Sequence, residues 1–161
     1  MVSAATGSQH TARNLALGFL AGALAVATFH QGMVFLLSVI GMIKGGVYAT
    51  RPVPPFAVPV ILDQMFWGGV WGIVYAAIAD RLPQAWPRFL TGFLFGAIGP
   101  VLVAWFVVAP LKGQAMMAGS DLNRMAAGIL INGAFGVGVA LIYPLLRDGL
   151  GRRWTTHMTS R

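Results

Sequence analysis

Cysteine and glutamate are both absent from these 161 residues, and the acidic complement is four aspartates, at 63, 80, 121 and 148. Without cysteine there is no disulfide, no thiolate nucleophile and no Cys-ligated zinc or iron–sulfur cluster. Without glutamate, and with the aspartates far apart along the chain, a carboxylate metal cluster has too few ligands. Histidine is nearly as scarce. His10 and His157 lie outside the apolar stretches, so His30 has no second axial partner for a haem. No zinc helix motif, phosphate loop or dinucleotide fingerprint occurs either, since Gly136-Val137-Gly138 lacks a third glycine and a preceding strand. The expectation is a protein without cofactor or metal, and not an enzyme.

What remains is hydrophobic. Apolar residues make up 57% of the chain and charged ones 9%, with a mean hydropathy of +0.75, a composition that suits a bilayer and not water. The net charge of +7 would suggest nucleic acid in a soluble chain. Here the bases fall between apolar segments and read as topology signals and lipid-headgroup contacts, so no nucleic-acid partner is expected.

Four apolar stretches, 15–39, 58–80, 89–111 and 125–147, each approach the ~20 residues that cross a hydrocarbon core. The fold class is therefore an all-α integral membrane bundle of four transmembrane helices over 15–147, with a polar N-terminal tail (1–14) and a basic C-terminal tail (148–161). The first stretch also has the outline of a signal peptide, with Ala25-Val26-Ala27 as a cleavage site that would leave Thr28 first. Its apolar run resumes after His30-Gln31, which favours a retained helix over removal of residues 1–27. Prolines 52, 54, 55 and 59 separate the first two stretches and predict a stiff, extended loop; the PxxP spacing within it would alternatively suit an aromatic docking groove. Seven bases (Arg13, Arg81, Arg88, Arg147, Arg152, Arg153, Arg161) fall at one end and four (Lys44, Arg51, Lys112, Arg124) at the other. The excess, with Trp86 and Trp154 beside it, puts both termini in the cytoplasm.

Small residues recur at the four-residue spacing of one helix face. The second stretch has Gln64, Gly68, Gly72 and Ala76; 68 positions on, Asn132, Gly136 and Ala140 follow Gly128, and Tyr75 and Asp80 find counterparts in Tyr143 and Asp148. GFLAG at 18–22 is echoed by GFLFG at 92–96, and Ile43-Lys44-Gly45 by Leu111-Lys112-Gly113. These echoes predict a tandem, parallel two-helix repeat with a pseudo-twofold axis along the membrane normal. Gly18, Gly22, Gly68, Gly72, Gly92, Gly96, Gly128 and Gly136 are the expected packing positions, where missing side chains let backbones approach. Pro100 should kink the third helix.

Five polar residues sit within the apolar stretches: His30, Gln31, Asp63, Gln64 and Asn132. His30 is 17 positions from Arg13, and Asp63 is 17 positions from Asp80, which places both about 25 Å from the base-rich end. They form a candidate polar layer, in which His30 and Asp63 could exchange a proton. The plainer alternative is that Asp63 caps the second helix while His30 bonds a carbonyl. Trp67, Trp71 and Tyr75 make an aromatic line, either the wall of an apolar pocket or simple interhelical filling.

At TFHQG (28–32), PVPPFAVP (52–59) and FWGGVWG (66–72) the first half of the chain resembles a group of small polytopic bacterial inner-membrane proteins. The resemblance implies a compact multi-pass protein of that membrane and brings no activity with it. The residues themselves leave two readings above an enzyme: a non-catalytic membrane component that packs against a partner membrane protein or its own copies in the lipid bilayer, and a small proton- or cation-linked permease built on His30 and Asp63.

Overall fold

The computed structural model describes residues 2–83 and 85–158, with side chains for 11–83 and 85–149. Four helices are long and apolar enough to cross a membrane: α1 (Thr11–Val39), α2 (Val60–Arg81), α3 (Arg88–Leu111) and α4 (Leu122–Gly149). Their bounds follow the expected stretches to within a few residues, because an apolar run must hydrogen-bond its own backbone once water is gone. Helical backbone also continues upstream of α1 to Val2 and beyond α4 through Met158. Most of the expected polar tail, 1–14, is thus helical; it holds Ala4, Ala5, Gln9 and Ala12 and no proline to stop propagation from α1. Residues 159–161, and the side chains of Arg152, Arg153 and Trp154, lie outside the described residues.

The loops are shaped by what their residues cannot do. Between α1 and α2 the proline-rich stretch folds back on itself, with β1 (Pro52–Val53) antiparallel to β2 (Val58–Pro59) and Pro52 opposite Pro59. Pro52 and Pro59 thus take the extended backbone that prolines favour, within a paired hairpin. Two flanking bonds, from Val60 N–H to the Arg51 carbonyl (3.1 Å) and from Ile61 N–H to the Ala49 carbonyl (3.0 Å), carry the pairing into α2. Before α4, Asp121 Oδ1 accepts the N–H groups of Asn123 (2.9 Å) and Arg124 (3.1 Å), which would otherwise be unpaired at the helix start. Asp121→Ala should therefore lower stability by about 1 kcal/mol, measured as a lower unfolding midpoint of the detergent-solubilised protein.

Two hairpins make up the bundle, and both close in the same way. A Cβ at Gly18 would stand 2.6 Å from the Ala76 Cβ, and one at Gly92 2.6 Å from the Ala140 Cβ. At Gly22 it would fall on the Gly68 carbonyl, and at Gly96 on the Asn132 carbonyl; Gly72 and Gly136 abut the carbonyls of Gly18 and Gly92. The Phe19 ring covers Gly69 as the Phe93 ring covers Gly133. Contacts in α1 and α3 are thus related by 74 positions, as the sequence echoes have it. Those in α2 and α4 are related by 64 and not by the expected 68, a slip of about one helical turn. The sequence comparison matched amide with amide, Gln64 with Asn132, whereas close approach needs only a bare backbone, which Asn132 supplies with its carbonyl.

The two hairpins join unequally. Between α1 and α4, Ala21, Ala25 and Val26 are buried against Phe135, Val139 and Tyr143, and a Cβ at Gly138 would lie 2.9 Å from that of Ala25. Between α2 and α3 the contact is made by rings: Trp71 and Tyr75 meet Phe95 edge-on at 6.0 and 5.2 Å. Rings hold these two helices apart where small residues bring the other two together. Large apolar side chains such as Leu20, Phe35, Phe66, Ile98 and Leu145 point outward, the arrangement suited to lipid, where burying them gains nothing over acyl chains.

Pro100 is buried inside α3, which runs on through it. A π turn follows at Ala104–Val108, and a similar one interrupts α1 at Val26–His30 without any proline.

Candidate functional site

Three polar residues within the spans, His30, Gln31 and Gln64, meet at the end of the bundle away from Arg13, Arg81, Arg88 and Arg147. Gln31, only 3% exposed, lies just after the π turn of α1. Its Nε2 donates to Gln64 Oε1 at 3.1 Å and contacts His30 Nδ1 at 3.3 Å, so that Nδ1 accepts and the ring proton sits on Nε2. Its Oε1 accepts the Tyr48 N–H at 2.8 Å. The Tyr48 hydroxyl in turn donates to the Ala27 carbonyl inside the π turn, also at 2.8 Å. One amide therefore ties α1 to α2 and both to the α1–α2 loop, and no buried side-chain polar atom among the described residues is left without a partner.

Of the five residues expected in one layer, His30, Gln31 and Gln64 come together. Asp63 lies in the first turn of α2, where its charge suits the helix dipole; it makes no ion pair with His30 and no side-chain cap bond. Asn132 donates from Nδ2 to the Gly128 carbonyl of its own helix at 2.9 Å, and its backbone packs on α3. Depth along a helix was readable from sequence, but depth does not say which neighbour a residue faces. Gly128 is also looser than expected: a Cβ there would find only Trp105 Nε1, at 3.8 Å. By the 74 and 64 relations, Trp105 and Gly128 occupy the places that Gln31 and Gln64 hold in the first hairpin, so an indole stands where that hairpin has an amide pair. Gly128→Ala should leave the unfolding midpoint within the ±0.5 kcal/mol of an ordinary surface change, unlike its counterparts at the crossing points.

The base-rich end holds a second polar cluster, which sequence reasoning missed as a site. Arg147 binds Asp80 Oδ1 through Nη1 and Asp148 Oδ1 through Nε, both at 3.3 Å, and its guanidinium lies 5.6 Å from the Tyr143 ring centre. Arg13 Nη2 donates to the Arg147 carbonyl at 3.2 Å, closing α1 onto α4. Tyr75 and Tyr143, 5% and 2% exposed, meet edge-on at 6.1 Å. Together with Asp80, Arg88, Thr91 and Arg147 they line a cavity of about 190 Å³. Beside it, sharing Leu82, Pro83, Trp86 and Thr91, a groove of about 380 Å³ runs between α2 and α3 over Ile78, Leu94, Phe95, Ile98 and Gly99. Of the expected aromatic wall, Tyr75 lines the cavity, Trp71 sits between α2 and α3, and Trp67 turns outward against Phe66 at 5.5 Å. The available signal was the Tyr75/Asp80 and Tyr143/Asp148 pairing, which marks two helix ends and gains chemistry only once Arg88 and Arg147 are set beside it.

No protein-family profile, curated protein or solved structure matches the chain. Among the described residues no three histidine or aspartate side chains converge as metal ligands.

Proposed function

We propose that this protein is a non-catalytic component of a bacterial inner membrane, multi-pass with both termini cytoplasmic, that acts through a partner membrane protein or further copies of itself. The observation that carries this reading is the closure of the intramembrane polar groups on one another: Gln31 engages Gln64, His30 and the loop backbone, which makes the layer a clasp. The permease reading was motivated by a His30–Asp63 couple, and these two side chains make no contact that would carry a proton between them. The shared contacts at Gly18, Gly22, Gly72 and their counterparts support descent of the two hairpins from one two-helix unit. The base excess at Arg13, Arg81, Arg88 and Arg147 supports the orientation.

Two measurements test the reading. Vesicles reconstituted with the protein should show no proton or cation flux above protein-free vesicles; a flux abolished by Asp63→Asn or His30→Ala would establish the permease instead. Extraction from its own membrane in mild detergent should give a complex heavier than one 17.1 kDa chain. A lone chain would sink the component reading.

A further inference from the structure

The cavity and groove at the base-rich end share Leu82, Pro83, Trp86 and Thr91 as a common wall, and their chemistry changes from polar to apolar along α3. At the polar end Arg88 is exposed and makes no hydrogen bond or ion pair with its side chain to another described residue, while the Tyr75 and Tyr143 rings and Thr91 complete the walls. Asp80 and Asp148 each give one oxygen to Arg147, whereas no described carboxylate meets Arg88, so an anion entering there finds a guanidinium not already engaged. From Arg88 in the cavity wall to Gly99 at the far end of the groove, cavity and groove together follow α3 for 11 positions, about 16 Å at the helical rise, which is close to half of a ~30 Å hydrocarbon core. With the cavity at its mouth, the groove is as deep as one leaflet. Its floor is the Phe95 ring that keeps α2 and α3 apart, and its rim includes Ile98, 54% exposed, so it opens sideways to lipid.

We propose that this is a binding site for one anionic phospholipid of the leaflet at the base-rich end, its phosphodiester at Arg88 and the mouth of the cavity and one acyl chain in the α2–α3 groove. A phosphate oxygen accepts charge-assisted bonds from the guanidinium, and the chain fills a gap that the bundle's own side chains leave open. The site stands independently of whether the protein is a component or a permease.

Native mass spectrometry of the full chain, released from vesicles of equal phosphatidylglycerol and phosphatidylethanolamine, tests it. One phosphatidylglycerol should remain bound in preference to phosphatidylethanolamine. Arg88→Gln should reduce its retention about tenfold, the effect of losing one charged contact, while Arg88→Lys keeps most of it. Ile98→Trp, which fills the groove, should reduce retention of both lipids. Arg88 and Ile98 are exposed, so the unfolding midpoint of each variant should match wild type and separates lost binding from lost fold. Equal retention of the two lipids, or retention indifferent to Arg88→Gln and Ile98→Trp, would overturn the proposal. So would displacement of the lipid by millimolar inorganic phosphate, which would make the site one for a free anion.

Discussion

Gly22→Val should prevent α1 and α2 from closing. At Gly22 any Cβ falls on the Gly68 carbonyl and within 3.0 Å of the Gly72 Cα. Both are backbone atoms of a helix, and neither can turn aside as a side chain would. The bundle has little with which to compensate. In lipid there is no hydrophobic drive between helices, and what holds them is dispersion at short range together with Cα–H contacts to carbonyls, both lost within an ångström or so of separation. Overpacking costs typically 1–3 kcal/mol where side chains can shift; against rigid backbone we expect about 3 kcal/mol or more. Gly96→Val should do the same to α3 and α4, since its Cβ falls on the Asn132 carbonyl and 2.9 Å from the Gly136 nitrogen. The measurement is unfolding in a denaturing detergent series, followed by tryptophan fluorescence. Gly32, whose Cβ would meet nothing within 4 Å, is the control, and Gly32→Val should shift the midpoint little. If Gly22→Val and Gly32→Val behave alike, the close crossing of α1 and α2 is wrong.

Gln31→Leu should release the α1–α2 loop. Leucine fills a similar volume but leaves Gln64 Oε1 and the Tyr48 N–H without the partners they have at 3.1 and 2.8 Å. Both groups are only partly shielded from solvent, so each orphaned bond costs about 1 kcal/mol and a loss of about 2 kcal/mol is expected, with faster proteolysis within residues 40–59. Gln64→Leu removes one of these bonds and keeps the loop contact, and should cost about 1 kcal/mol without exposing the loop. This contrast tells a clasp from a proton path. A clasp ranks Gln31 first and is indifferent to Asp63, while a proton path would make His30 and Asp63 the sensitive pair and leave stability alone.

The role of Gln31 was the hardest thing to see in the sequence. Its position next to His30 in an apolar stretch marked it as unusual, but its main partner, Tyr48, comes from a loop in which nothing but proline stood out, and the bond goes to backbone. Gln64 was legible as the amide heading a stripe of small residues, and that stripe does pack. Asp63 has nearly the same apparent depth as Gln31 and Gln64, and Asn132 lies slightly deeper, yet both face other things. Depth along a helix accumulates at a fixed rise per residue and can be counted; the direction a side chain takes depends on how the helix is rotated against its neighbours.

The chain by itself determined four membrane-crossing helices and the narrow faces along which they meet, because a bilayer admits only long apolar runs that satisfy their own backbone, and close crossings require residues without bulk. Only the tertiary structure decided which faces meet. The one-turn slip between α2 and α4, the tight α1–α4 seam, the ring-propped gap between α2 and α3, and the cavity walled by Tyr75, Arg88 and Tyr143 all follow from rotation and register between helices. Those are set by van der Waals fit summed over many weak contacts, which no local pattern of residues records.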